Sequence, residues 1–388
     1  MSVPLRIALI RQNYRPDGGA ERFVSRALDA LAAKGVVVSL FARHWKPQAG
    51  IHFELCNPPA LGRLVRDWGF ARAVCNKLSK RKFDLVQSHE RLTCCDVYRA
   101  GDGVHRAWLE RRGNGQMRGL DRISLYHRYL LHTERAMFES PRLRAVICNS
   151  HMVKDEILHY FAIDPAKLHV IYSGVDLEIF HPRNRLGRAE RLDLLGIPAD
   201  APVFLFVGSG FERKGLAPLL QAMAHLAKPA WLIVLGQDKS AARYRALAEQ
   251  LGIASRVHWA GAVSDPASWY GLGDALVLPT LYDPFPNVVL EAMASGLAII
   301  TSTACGGAEL VQEGVQGFVR KHDDVAGLAL AMAELLDVER AHTMGLASRN
   351  AVSGYSLTAM TEQMLKLYAN LMNVTLNNPI TVSGNNHE

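Results

Sequence analysis

Val203-Phe-Leu-Phe-Val-Gly-Ser-Gly-Phe-Glu-Arg-Lys-Gly215 reads as a strand, a glycine turn and the opening of a helix. A helix N-terminus carries unpaired N–H groups and the positive end of the peptide dipole, which suits a diphosphate. Arg213 and Lys214 add two charges that can neutralise a nucleotide leaving group. A dinucleotide-binding turn is the rival reading. Its fingerprint has glycine at relative positions 1, 3 and 6, and here the third glycine falls at 8. Asp238, after the next strand, could mimic the ribose-binding acid of that fold, but two adjacent cations are no part of its fingerprint. The plain alternative for Arg213 and Lys214 is a solvated pair.

The same strand–helix unit recurs on both sides. Upstream, strands are expected over 6–10, 36–41, 52–56, 85–88, 96–99, 145–148 and 169–172, with helices such as 20–33 and 61–79 between them. Downstream, strands are expected over 203–207, 231–235, 257–260, 275–278 and 298–301, and helices over 215–227, 241–252, 287–295 and 325–336. This alternation argues for α/β architecture, with mainly parallel sheets covered by helices on both faces. The pattern breaks over 173–200, where Asn184, Arg185 and Arg188 precede Pro198 and Pro202. Two doubly wound units are therefore expected, 1–175 and 176–372, with strand carboxyl ends around a shared cleft. A last amphipathic helix is expected over 357–372, and residues 373–388, rich in Asn, Ser and Gly, read as a mobile tail.

With 388 residues and 49% apolar content the chain has material for two globular cores. No apolar run approaches the roughly 20 residues of a membrane span, and the N-terminus lacks the basic lead and apolar centre of a signal peptide. Six scattered cysteines, none in a C-x-x-C pair, are expected as buried reduced thiols in a cytosolic protein. The net charge of +7 is uneven: residues 1–175 carry 28 Lys+Arg against 16 Asp+Glu, and residues 176–388 carry 16 against 21. The first half thus favours an anionic partner, such as a phospholipid surface, a phosphorylated acceptor or nucleic acid.

Asp283-Pro-Phe-Pro-Asn-Val-Val-Leu-Glu291 carries the densest chemistry. A rigid turn separates Asp283 from a helix that Asn287 can cap, and Glu291 then lies about one turn in. Glu291 sits inside the apolar run Val288-Val-Leu-Glu-Ala-Met-Ala294. A helix apolar all round is buried, and a buried carboxylate needs donors, which two vicinal sugar hydroxyls could supply. Gly18-Gly19 allows close backbone approach at another helix start. Asp102 and His105 follow a strand in a glycine-flanked turn, where a plain turn and a structural histidine are the simpler readings. Between Arg106 and Arg135 many arginines mix with Trp108, Leu109, Leu125, Tyr126, Tyr129, Leu130 and Leu131. That mixture suits an anionic membrane interface, a nucleic acid, or a surface helix with one core-facing side. No H-E-x-x-H, Cys/His cluster, G-x-S-x-G or D-x-D motif is present, so phosphate charge is expected to be met by Arg and Lys, with no metal.

Over nearly its whole length the chain resembles the retaining glycosyltransferases of family 4, with two Rossmann-like domains in the GT-B arrangement. Within that family it is most similar to the branch that glucosylates lipopolysaccharide core. The resemblance rests on Gly18-Gly19, Gly174-Val-Asp176, Phe180, Pro182, Arg213-Lys214-Gly215, Gly236, Gly261, the 283–291 segment and Gly306-Gly307-Ala-Glu309. It implies a UDP-sugar donor, no cofactor, a lipopolysaccharide core or other glycolipid acceptor, and no nucleic acid. It also implies a cytoplasmic protein on the inner-membrane face, attached to the anionic surface through the Arg106 to Arg135 segment. Glu291 would hold the donor ribose. Asp283 would face the donor sugar, with Phe285, Pro286, Asn287 and Val288 along the donor. Arg213 and Lys214 would stabilise the leaving diphosphate with the Gly18 and Gly19 amides, and Asp102 would act near the reaction centre. The family usually carries Glu where this chain has Asp283, and often Arg where it has Ser209. The neighbouring Arg213 would supply that second charge.

Overall fold

The computed structural model describes residues 5–13, 35–44 and 51–372. Gly18, Gly19, the helix expected over 20–33 and the tail over 373–388 lie outside these. Thirteen strands form two wholly parallel sheets among the described residues. The first contains β1 (Arg6–Ile10), β2 (Val37–Ala42), β3 (His52–Leu55), β4 (Leu85–Ser88), β5 (Val97–Ala100), β6 (Ala145–Cys148) and β7 (Leu168–Val170), in the order β3-β2-β1-β4-β5-β6-β7. The second contains β8 (Val203–Val207), β9 (Trp231–Leu235), β10 (Val257–Gly261), β11 (Ala275–Leu278), β12 (Ala298–Ser302) and β13 (Gly317–Arg320), in the order β10-β9-β8-β11-β12-β13. Each order reverses once, between β1 and β4 and between β8 and β11, and such switch points open a crevice at the strand carboxyl ends.

The helices that matter for function are α1 (Gly62–Leu78), α2 (His105–Arg112), α3 (Leu125–Phe138), α4 (His151–Tyr160), α5 (Phe211–Lys214), α6 (Leu216–Ala224), α7 (Asn287–Ala294) and α8 (Leu357–Met372). Successive strand side chains point to opposite faces, and the first sheet shows it. Ile7, Leu9, Leu85, Val97 and Ile147 join one core with Met360, Met364, Leu365, Leu367 and Tyr368 of α8. Their neighbours Ala8, Ile10, Val86, Tyr98 and Val146 join the opposite core with Phe70, Val74, Met137 and Phe138. The last helix of the chain thus covers one face of the first sheet, and Tyr368 Oη donates to Gln87 beneath it.

Two expectations are corrected here. Cys75 on α1 and Cys94 form a disulfide, with Cα atoms 5.9 Å apart, while Cys56, Cys95, Cys148 and Cys305 are free and buried. The pair meets because α1 packs beside the turn after β4, a proximity that spacing along the chain does not encode. The helix expected over 215–227 spans Leu216–Ala224 as α6, ending three residues early, and a separate short helix, α5, precedes it across Gly215 at φ +81°. A Cβ there would lie 2.0 Å from the Pro279 carbonyl oxygen, so only glycine allows this break.

Candidate functional site

The carboxyl ends of β1, β4, β5, β6, β8, β9 and β10 supply residues to one cleft of ≈ 930 Å³ between the two sheets. After β8 the chain turns through Gly208 (φ +133°) and Gly210 (φ +76°) into α5. Asp238 accepts the Phe211 amide at 2.9 Å and the Ser240 amide at 2.8 Å. It therefore holds the turns it belongs to, and the ribose-binding role of the dinucleotide reading does not describe it.

Asp283, 6% exposed, is where the site's charges meet. Arg213 Nη1 and Lys214 Nζ each lie 2.8 Å from Asp283 Oδ2. Burial alone would raise this carboxyl, but Lys214 and Arg213 outweigh burial and hold it below its ordinary value. Two cations against one carboxylate leave a positive surplus in the cleft, suited to an anionic group. The loop is fixed by its backbone: the Asp283 amide donates to Ala304 (3.0 Å) and the Gly306 amide donates to Asp283 (2.9 Å).

Glu291 lies on α7, 8% exposed, among the buried Val289, Leu290, Ala292, Met293 and Ala294. Tyr270 Oη donates to its Oε2 at 3.0 Å, a protein donor that sequence reasoning missed. Asn287 is not the cap of this helix. Pro286 occupies that position with extended backbone, and Asn287 is the first helical residue, which puts Glu291 in the second turn. Asp283, Phe285, Pro286, Asn287, Val288 and Glu291 all line the cleft with Arg213 and Lys214.

From the first half come Asp102, which is exposed, and four residues the sequence reading did not single out: Arg11, His89, Arg99 and Asn149. All are polar groups at or just past strand carboxyl ends, the signal that could have found them. Burial, with the repulsion of Arg11, pulls the buried Arg99 down to about 9. Burial and the charges of Arg99 and Arg11 hold His89 well below its ordinary value, so it is neutral. Asn149 donates to the Gly101 carbonyl at 3.2 Å. His105 is outside the cleft lining and faces His127 (3.0 Å between ring nitrogens).

A second cavity of ≈ 420 Å³ shares Arg11 and Asp102 with the cleft and runs between α1 and α3. Asp67 organises its wall, accepting from Gln12 Nε2 (3.1 Å), Arg66 Nε (2.8 Å) and Tyr126 Oη (3.0 Å). The basic segment between Arg106 and Arg135 divides its aromatic and leucine residues. Leu109 is buried and Trp108 stacks against Tyr282, while Tyr126, Tyr129 and Leu130 line this second cavity. Its exposed apolar residues are Leu120, Ile123 and Leu125, with Arg118, Arg122 and Arg128 exposed beside them in sequence. Among the described residues no helix is long and apolar enough to cross a membrane.

Two parallel Rossmann-like sheets around a polar cleft define a GT-B glycosyltransferase fold. A crystal structure of WaaG, a glycosyltransferase involved in lipopolysaccharide biosynthesis, superposes with a TM-score of 0.82 at 22% identity, covering 93% of this chain and 99% of that one. Anabaena HepE in complex with UDP and glucose superposes at 0.71 with 18% identity, covering 94% and 100%. In sequence, the family described as glycosyl transferases group 1 matches residues 188–351, and glycosyltransferase family 4 matches residues 17–179. The lipopolysaccharide core biosynthesis glycosyltransferase LpsE of Rhizobium meliloti is 31% identical over 364 residues, 92% of this chain and 97% of that protein. The lipopolysaccharide glucosyltransferase WaaG of Escherichia coli K12 is 27% identical over 333 residues, 81% and 84% respectively. The chain belongs to the group 1, family 4 glycosyltransferases.

Proposed function

We propose that this glycosyltransferase moves glucose from UDP-glucose to a heptose of lipopolysaccharide core, with retention of anomeric configuration. The observation that carries the reading is the chemistry gathered in one cleft: buried Glu291, accepting from Tyr270, shares its lining with Arg213 and Lys214 around Asp283. Glu291 accepts the donor's ribose hydroxyls beside Tyr270, Asp283 faces the donor sugar, and Arg213 and Lys214 take up the charge of the departing diphosphate. The cavity between α1 and α3 receives the acceptor, so that its hydroxyl arrives beside Asp102. That hydroxyl attacks C1 from the face UDP leaves, and its proton passes to a phosphate oxygen of the donor. No side chain is assigned as base, and no metal or other cofactor is invoked. The names of the similar WaaG and LpsE support the acceptor class, and HepE, crystallised with UDP-glucose, supports the donor. In this reading the chain works on the cytoplasmic face of the inner membrane, touching anionic lipid through the segment between Arg106 and Arg135.

The test is incubation with radiolabelled UDP-glucose, UDP-galactose and UDP-N-acetylglucosamine and with lipopolysaccharide ending in its core heptose. Label should move from UDP-glucose to the lipopolysaccharide with release of UDP. Transfer from another UDP-sugar would change the donor assignment, and absence of UDP release with all three would contradict the reading.

A further inference from the structure

Tyr282 stands one residue before Asp283 on the loop after β11, yet its ring lies in the core of the other half of the molecule. It is 3% exposed. Its hydroxyl accepts the Val104 amide at 3.0 Å and donates to Glu156 Oε2 at 2.7 Å. Trp108 stacks on the ring, and the Arg111 guanidinium lies 4.7 Å from its centre while pairing with Glu156. The seat is built for this side chain: a Cβ on Gly103 would lie 2.1 Å from the Tyr282 hydroxyl.

The two ends of this contact sit beside Asp102 and Asp283, two of the three carboxylates that line the cleft. Val104 is two residues after Asp102, and Tyr282 immediately precedes Asp283. Ser150 Oγ also crosses between the halves, donating to the Pro284 carbonyl (2.8 Å), and Glu309 accepts the His151 and Met152 amides (2.9 and 2.7 Å). Those contacts engage the start of α4, whereas the Tyr282 hydroxyl reaches the Asp102 turn itself. We propose that Tyr282 is a positioning residue for transfer, its hydroxyl holding the Asp102 turn and Asp283 in register across the cleft. The proposal rests on the donor-site reading of Asp283. Loss of the hydroxyl leaves donor contacts in place but loosens the alignment of acceptor and donor, and misalignment falls on turnover rather than on binding.

Tyr282→Phe removes only the hydroxyl. Turnover is followed as UDP release from UDP-glucose in the presence of heptose-terminated lipopolysaccharide, UDP affinity by calorimetry, and the relative placement of the halves by small-angle X-ray scattering of the UDP-bound chain. Tyr282→Phe should lower kcat about 10-fold or more, as expected for a misplaced reacting pair, with UDP affinity and thermal stability close to native and a broadened distance distribution. Glu156→Gln, which keeps an acceptor oxygen, should retain most turnover. Glu156→Ala removes the acceptor that orients the hydroxyl but leaves the Val104 contact, so it should lower turnover less than Tyr282→Phe, and the double variant should turn over no more slowly than Tyr282→Phe alone. A native kcat or scattering curve for Tyr282→Phe overturns the proposal, as do parallel losses of UDP affinity and kcat, which signify a merely structural role. Glu291→Ala serves as the separate control, since unchanged UDP affinity there removes the donor-site reading whatever Tyr282→Phe does.

Discussion

At the residue scale the site depends on matched burial and charge. Lys214 is 7% exposed and faces Asp283. Removing one partner of a buried pair costs about 3–5 kcal/mol because the other charge is left uncompensated. Asp283→Asn should therefore lower stability in urea unfolding by about 3 kcal/mol and give a variant that UDP stabilises more than it does the native chain. Equal stability with and without the substitution would contradict the pairing. The histidines set an acid limit. Burial, with Arg91 and His127, brings His105 down to about 3, and His89 is also held low. Between that value and the ordinary 6.5 the unfolded chain binds protons that the native chain refuses. Stability is thus full above about pH 6.5 and falls on acidification, by at most about 1.4 kcal/mol per pH unit for each histidine. His105→Gln should flatten the melting temperature measured from pH 7 to pH 5. The burial of Glu291 was legible because an acid stood inside an apolar helical run. Its partner Tyr270 was not, since a separation of 21 positions carries no spacing signal for a contact made by folding.

At the scale of elements, strands of parallel sheets announce themselves as short continuous apolar runs, because helices cover both faces. Val203–Val207, Ala275–Leu278 and Ala145–Cys148 fall where the sequence predicts them. Gly317–Arg320 does not read as a strand: it has four residues, opens on glycine and ends on a charge. Helix α7 starts where expected but with Pro286 at its boundary, since proline fixes the extended-to-helical transition that an asparagine cap would otherwise make. Helix α8 adds its own prediction. Met364 is 2% exposed and belongs to the same core as Ile7 and Leu9 of the first sheet. Met364→Ala should cost about 2–5 kcal/mol in denaturant unfolding. A cost near zero would mean that α8 does not cover that face in solution.

At the scale of the whole molecule, the charge asymmetry seen in the sequence acquires a location. Leu120, Ile123 and Leu125 lie among exposed arginines, and α1, which contacts α3, exposes Val65 and Trp68, with Leu61 exposed just before it. Flotation with vesicles containing phosphatidylglycerol should recover the chain, neutral vesicles should recover less, and added salt should weaken the difference. Equal recovery from both vesicle types would contradict an electrostatic attachment. The sequence could not place these residues, because which side of a basic helix faces outward is decided by its packing partners.

On the proposed reading the cleft is a nucleotide-sugar site in which Glu291 holds the ribose. Calorimetric titration of UDP into the native chain and into Glu291→Ala tests it most directly. Saturable binding to the native chain is expected, with a loss of about 10-fold or more in the variant, the scale of a charge-assisted hydrogen bond. UDP affinity unchanged by the substitution, in a variant with native melting temperature, would contradict it.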